Sequence, residues 1–317
     1  MMAVTDLLNL RLRSITWQNE LISSYEFVSA DGSPLPPFSA GAHVGLVLPV
    51  GERSYSLANP PSESFRYVLG IAREEAGQGG SRYVHDTLRV GNVIQVRPPR
   101  NHFPLHDGAG SAVLIAGGIG ITPMLSMAAD LQAHSRPWHL TYAVKSARHA
   151  AFEAELARWP GKVALHHDDV EQGFLNVRRL VEAASAGAHF YCCGPSAMLN
   201  SFLEATKDLP VDVVHYERFA AEVPVDVSGD QFEVKLARNN TTVKVNEGQS
   251  ILDALTQAGV SVTSSCGQGI CGVCETRVLA GVPDHRDGLL SEAERQSNKV
   301  MMICCSRSKT PSLTLDL

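Results

Sequence analysis

The sequence has no arginine-rich tail and no low-complexity tract, and nothing at its N-terminus has the pattern of an export signal. Without a basic segment, and with a formal net charge of −6, nucleic acid is not expected as the main partner. Without an export pattern, the seven cysteines, two adjacent pairs among them, are expected to be reduced thiols in a cytoplasmic protein. Charged residues make up only 19% of the chain against 44% hydrophobic, yet no run reads as a membrane span. Residues 109–129 carry no charged side chain, which meets the length criterion for a membrane helix. They also hold Gly110, Gly117, Gly118, Gly120 and Pro123, and so read as strand, glycine turn and helix. A chain of 317 residues is too long for one ordinary core and suggests two or three domains.

The chemistry is most legible in a cysteine loop. Cys266, Cys271 and Cys274 follow C-x4-C-x2-C spacing, and Cys304 and Cys305 lie a long gap downstream, the plant-type [2Fe-2S] pattern. Thiolates suit iron–sulfur chemistry, and Gly267, Gly269 and Gly272 let the loop fold tightly with its N–H groups toward sulfur. A structural zinc site would show C-x2-C pairs, and only Cys271 and Cys274 are so spaced. A disulfide framework would need an oxidising compartment. Spacing alone leaves Cys304 and Cys305 competing for the fourth position.

Residues up to about 105 read as a β-rich domain, with apolar runs at 22–28, 44–48, 67–71 and 93–96 separated by turns. Within it, the alternation Arg53-Ser54-Tyr55-Ser56-Leu57 places a cation, a ring and hydroxyls where they can meet a phosphate and a heterocycle. An ordinary alternating strand has the same pattern. Gly77-Gln78-Gly79-Gly80-Ser81 precedes a helix at 83–88 with Ser81 at the cap position, an anion site of the helix N-terminal kind or a plain capped turn. Arg97-Pro98-Pro99-Arg100-Asn101 reads as a rigid loop closing the domain.

From Ser111 the period changes. A strand at 113–116 leads through Gly117-Gly118-Ile119-Gly120 into a helix reaching about His134, with Thr122 as cap and Pro123 in the first turn. Strands at 139–144, 163–167 and 188–193 alternate with helices at 150–159, 177–184 and 196–207, which gives a parallel sheet with ligands at the strands' carboxyl ends. The strict G-x-G-x-x-G is absent, so the glycine turn is a weak dinucleotide signal by itself. Cys193 ends a strand where a ligand would sit, although an inert buried thiol is the commoner fate, and Cys192 points into packing. After 213–219 the run 220–230 lacks periodicity and reads as a linker. Segments at 232–236, 242–245, 251–258 and 313–317 build a small β/α domain around the cysteine loop.

Together these motifs resemble the phthalate dioxygenase reductase family, which includes vanillate O-demethylase reductases. Besides those above, Arg100-Asn101-His102-Phe103-Pro104-Leu105, Tyr191-Cys192-Cys193-Gly194-Pro195, Glu217-Arg218-Phe219 and Asp284-His285-Arg286-Asp287 match in order, so the resemblance spans essentially the whole chain. It implies an antiparallel FMN barrel (1–107), an α/β parallel-sheet NAD domain (108–223), a linker (224–230) and a β-grasp-like α+β ferredoxin domain (231–317). It places FMN against Arg53, Tyr55, Ser56, Ile71, Ala72, Gly79, Gly80, Ser81, Thr122 and Phe219. NADH falls to Gly117, Gly118, Gly120, Ser146, Cys193, Gly194 and Pro195, and the cluster to Cys266, Cys271, Cys274 and Cys304, with Cys305 spare. Cys193, Glu217 and Thr122 are the expected catalytic residues, Cys193 near the nicotinamide and Glu217 near the flavin N5. No acidic residue ends the strand at 139–144 to hold a ribose hydroxyl; Lys145, Ser146 and Arg148 follow instead and suit a 2′-phosphate. The implied function is a reductase that takes hydride from NADH onto FMN and passes single electrons through [2Fe-2S] to a terminal Rieske-type oxygenase in a transient complex. The chain itself is expected to be a monomer. The alternatives are the same chain feeding a cytochrome P450, or a flavin/iron–sulfur redox sensor.

Overall fold

Alternating apolar and polar side chains build the first sheet. The computed structural model describes residues 7–75, 77, 79–108, 110–219 and 225–317; Gln78 and residues 220–224, on which parts of the glycine turn and the linker were placed, lie outside them. Strands β1 (Leu8–Trp17), β2 (Ile22–Ser29), β3 (His43–Leu48), β4 (Gly51–Ser56), β5 (Tyr67–Ala72) and β6 (Val93–Arg100) pair antiparallel in the order β4-β3-β6-β1-β2-β5. A bridge between Leu57 and Leu69 joins the two outer edges, so the sheet closes into a barrel. Leu12, Phe27, Leu46, Leu57 and Leu69 fill its interior.

Two expectations for this domain change. Helix α1 (Gly80–Thr87) is preceded by Gly79 in the left-handed region at φ 83°, and Ser81 lies inside the helix. Its hydroxyl accepts the Glu74 N–H at 3.0 Å, so it closes the loop before the helix instead of capping it. Arg97-Pro98-Pro99-Arg100 is not a loop but the end of β6. The prolines are tolerated because the register with β3 slips there, between the pairs His43–Arg100 and Gly45–Arg97, so two ladder donors are not needed.

The second sheet is parallel, in the order β11-β10-β7-β8-β9, from β7 (Ala112–Gly117), β8 (Trp138–Val144), β9 (Val163–His167), β10 (His189–Cys193) and β11 (Val214–Glu217). Helices α2 (Ile121–Ala133), α3 (Glu153–Leu156), α4 (Val177–Glu182) and α5 (Ser196–Thr206) connect the strands. The strand period puts Cys192 and Cys193 on opposite faces: Cys193 packs with Tyr191 and Met124, Cys192 with Phe190 and Phe202. Thr122 is not a cap, because a single 3-10 turn at Gly118–Gly120 runs straight into α2. Thr122 is its second residue and donates to the Ile119 carbonyl at 3.1 Å. The helix expected at 150–159 contracts to α3. Asn19 of the barrel takes the carbonyls of His149 and Ala150, at 2.9 and 3.2 Å, and Phe152 turns left-handed at φ 60° before the helix can start.

The chain divides into two compact units, Met1–Arg218 with barrel and parallel sheet, and Phe219–Leu317. The second contains β12 (Phe232–Leu236), β13 (Thr241–Val245), α6 (Ile251–Gln257), β14 (Glu275–Ala280), β15 (Pro283–Asp284), α7 (Glu292–Ser297), β16 (Val300–Met302), β17 (Arg307–Ser308) and β18 (Ser312–Leu315). Its main sheet runs β13-β12-β18-β14-β16, with β18 parallel to β12 and antiparallel to β14. Val234, Val245, Leu255, Leu313 and Leu315 form its core with α6, capped where Ser250 accepts the Asp253 N–H at 3.0 Å. The run read as a linker belongs in part to this unit. Arg286 Nη1 donates to the carbonyls of Asp226 and Ser228 at 2.7 and 2.8 Å, and Arg307 Nη2 to those of Gly229 and Asp230 at 3.1 and 2.8 Å. No helix among the described residues is long and apolar enough to cross a membrane.

Candidate functional site

In the first unit the candidate residues gather where the barrel meets the carboxyl ends of the parallel strands. Arg53, Tyr55 and Ser56 stand on β4. Arg53 donates to the carbonyls of Glu52 and Val50 at 2.7 and 3.1 Å, and its stem lies along Gly80, where an added Cβ would come within 2.4 Å of Cγ. The start of α1 therefore meets the guanidinium only because residue 80 is glycine. Burial pushes the Tyr55 phenol up to about 12, so it stays neutral. Ile71 is buried on β5 with Ala72 beside it. Gly70, between Leu69 and Ile71, packs against Thr122 Cγ2 and the Phe152 ring, where a Cβ would come within 2.5 and 2.8 Å. Sequence reasoning missed Gly70 and Phe152; a left-handed phenylalanine carries no signal in a single sequence.

Three strand ends then converge. Cys193 is the register partner of Ala116 in β7 and of Glu217 in β11. A Cβ on Gly120 would sit 2.2 Å from the Cys193 carbonyl oxygen, and Gly117 is packed against Pro195 and Met198. Gly120 and Gly194 thus serve close approach of backbones. Gly118, at φ 54° with nothing within 4 Å of a Cβ, serves the turn itself. Ser146 bonds His149 Nδ1 at 2.7 Å, while Lys145 and Arg148 are exposed.

The electrostatics of this edge centre on Glu217. Its carboxyl is pushed up to about 8 by burial, against a weaker opposing hydrogen bond from Ser56 Oγ at 3.4 Å. At neutral pH it is a protonated acid able to donate. Cys193 is held well above the usual thiol range by burial first and Glu217 second, so it is no thiolate nucleophile. Phe219 opens the second unit and is 43% exposed.

In the second unit the loop after α6 turns at Gly267, Gly269 and Gly272, with φ of 66°, 69° and 71°. Among the described residues no group of three or more His, Cys, Asp or Glu side chains is arranged around a single metal ion. The four cysteine sulfurs are instead linked pairwise. Cys266 is hydrogen-bonded with Cys271 and Cys304, and Cys304 with Cys266 and Cys274. Those bonds, Cys271 first, hold the Cys266 thiol below the usual thiol range and push Cys271 and Cys304 above it. The Gln268 N–H adds a bond to Cys266 Sγ at 3.3 Å. An all-sulfur donor set with backbone N–H groups turned toward it fits an iron–sulfur cluster. Cys305 is fully buried, with Sγ 3.6 Å from the Met302 carbonyl and directly beneath Gly269.

Barrel, parallel sheet and four-cysteine unit define a class, a reductase that carries its own ferredoxin. The family model described as 2Fe-2S iron-sulfur cluster binding domain matches residues 234–309, and that of the dimethylamine monooxygenase subunit DmmA-like N-terminal domain matches 92–214. Phenoxybenzoate dioxygenase subunit beta of Ectopseudomonas oleovorans is 49% identical over 311 residues, 98% of this chain and 97% of the relative. A solved phthalate dioxygenase reductase, described as a modular structure for electron transfer from pyridine nucleotides to [2Fe-2S], is 38% identical with a TM-score of 0.73, over 98% of both chains. An intact type IV self-sufficient cytochrome P450 monooxygenase matches 98% of this chain at 36% identity and a TM-score of 0.90, although this chain spans only 41% of that one. The chain belongs to the phthalate dioxygenase reductase family, as its motifs had implied.

Proposed function

We propose that this chain is the reductase component of a Rieske-type oxygenase system, moving electrons from NADH through FMN and a [2Fe-2S] cluster to a terminal oxygenase for an aromatic or related organic acid. The observation that carries this reading is that one chain holds both the Ser56–Glu217–Cys193 edge and a four-thiol centre. When bound, the nucleotide supplies hydride, the flavin accepts two electrons and releases them singly, and the cluster carries one. Arg53 and the Gly79-Gly80-Ser81 turn would hold the flavin phosphate, and Tyr55, Ser56, Ile71, Ala72 and Thr122 would neighbour its ring. Gly117, Gly118, Gly120, Gly194 and Pro195 would receive the dinucleotide with Ser146, and Cys193 would face its nicotinamide. Glu217 holds its proton beside the Ser56 hydroxyl and offers it as charge builds nearby. Cys266, Cys271, Cys274 and Cys304 would hold the cluster; Cys304 is favoured over Cys305 because it meets Cys266 and Cys274, whereas the Cys305 sulfur faces the Met302 carbonyl and the Ser306 hydroxyl. The protein acts as a monomer that meets its oxygenase transiently.

The likeness to the reductase end of a P450 monooxygenase favours a second reading, in which the acceptor is a haem protein. Reconstitution separates the two. NADH-driven reduction of a Rieske oxygenase much faster than of a P450 supports the proposal; the reverse order overturns it. A chain ending at residue 224 should still reduce ferricyanide with NADH, because hydride acceptance needs only the first unit. It should fail with cytochrome c or the oxygenase. Undiminished oxygenase reduction by that fragment would remove the cluster from the path.

A further inference from the structure

The Asp284-His285-Arg286-Asp287 run has no role in the reading above, yet Asp287 is only 4% exposed and its carboxylate is bonded on both oxygens. Oδ2 accepts the N–H groups of Leu290 and Leu289 at 2.8 and 3.2 Å, and Oδ1 accepts the Ser306 hydroxyl at 3.5 Å. Ser306 Oγ in turn accepts the Arg286 N–H at 3.2 Å. Arg295 of α7 donates to the Asp287 carbonyl, and its Nη2 stands 3.8 Å from the carboxylate, as does His285 Nδ1. Toward the cysteine loop, the next residue, Gly288, donates its N–H to the Gly269 carbonyl at 3.0 Å. A Cβ at position 269 would stand 3.0 Å from Asp287 Cα.

Residue 287 therefore reaches both separated parts of the ligand set. Gly269 lies between Cys266 and Cys271, and Ser306 lies two residues after Cys304. A buried carboxylate is tolerated only where hydrogen bonds replace water; here those bonds hold the turn at Leu289 and Leu290 and tie it to Ser306 of the Cys304 segment, while the Gly288 N–H of the same turn holds Gly269 of the cysteine loop. We propose that Asp287 is the positioning residue that sets the Cys304 segment against the loop of Cys266, Cys271 and Cys274. The inference rests on the cluster reading given under the proposed function. Partners behind metal ligands typically change metal affinity 10- to 100-fold when removed.

The test uses the full chain. Asp287→Ala should release iron to a chelator about 10- to 100-fold faster than wild type and broaden the EPR signal of the reduced cluster. Asp287→Asn keeps an oxygen for Leu289 and Leu290 and an NH2 for Ser306, so it should restore wild-type release and line shape. In the metal-free chain, hydrogen exchange at the Gly288 N–H should speed up in the alanine variant only. NADH–ferricyanide activity of the first unit is the internal control. Wild-type release and line shape in Asp287→Ala, or an asparagine variant as damaged as the alanine one, would overturn the proposal. If Asp287→Ala does not fold, Ser306→Ala removes one tie and should release iron faster than wild type; no change would overturn the proposal equally. Failure of the cluster reading itself would be visible in the wild-type chain, which would lack iron and the EPR signal and leave the inference without ground.

Discussion

Replacing Glu217 by glutamine should make the first unit more stable at alkaline pH and leave it unchanged at acid pH. The folded protein raises this carboxyl from 4.5 to about 8, chiefly by burial. Between those values the native state keeps a proton that the unfolded chain has lost, so stability falls as pH rises through the window and is level above about 8. At about 1.36 kcal/mol for each pH unit, the whole span sets an upper bound of ~5 kcal/mol. Solvent reaching this partly exposed residue screens it to roughly half. The glutamine side chain mimics the protonated acid and has no such slope. The difference between variant and wild type should then be near zero at pH 4.5 and reach about 2–3 kcal/mol by pH 8–9. Urea unfolding followed by tryptophan fluorescence is the assay, because Trp17, Trp138 and Trp159, the chain's three tryptophans, all lie in the first unit. Midpoints that move in parallel for both proteins from pH 5 to 9 would refute the protonated carboxyl and its part in the proposed mechanism.

Arg53→Ala should weaken flavin retention by roughly 10- to 150-fold, the equivalent of a charge-assisted bond of about 1.5–3 kcal/mol, measured by dialysis of the purified protein; mass spectrometry of the released cofactor should identify FMN, and FAD would overturn that assignment. Cys304→Ser should lose the visible absorption of the cluster while Cys305→Ser keeps it, and the opposite pattern would make Cys305 the ligand. Gly120→Ala should be the more damaging of two glycine changes. Its Cβ would meet backbone atoms of Cys193 and Gly194, costing about 1–3 kcal/mol and reducing NADH turnover. Gly118→Ala meets only open space and should cost about 1–2 kcal/mol of backbone strain, read from thermal melting.

The large divisions could be read from the sequence because each has its own period: alternation in the barrel, strand–helix alternation around β7 to β11, and cysteine spacing in the second unit. Local starts and stops were misread where a distant residue takes a bond that local chemistry had reserved. Ser81 and Thr122 have the composition of caps, but Glu74 and the turn at Gly118–Gly120 redirect their hydroxyls. Pro98 and Pro99 look like strand breakers until the slipped register of β3 and β6 removes the need for their N–H groups. At the candidate site, Arg53, Ser56 and Glu217 could be named from motifs. That Ser56 and Glu217 meet across 161 positions, or that Gly70 must be small to admit Thr122 and Phe152, depends on contacts no single sequence displays.

The placement of β18 has a consequence for how the protein is made. It is the last of the described strands to leave the ribosome, yet it lies in the middle of its sheet, paired with β12 on one side and β14 on the other. Until Ser312–Leu315 joins the sheet, β12 and β14 each present an open edge toward the same vacant lane. Released chains that end just short of this strand should therefore be more prone to edge-to-edge association than chains that end before Phe232.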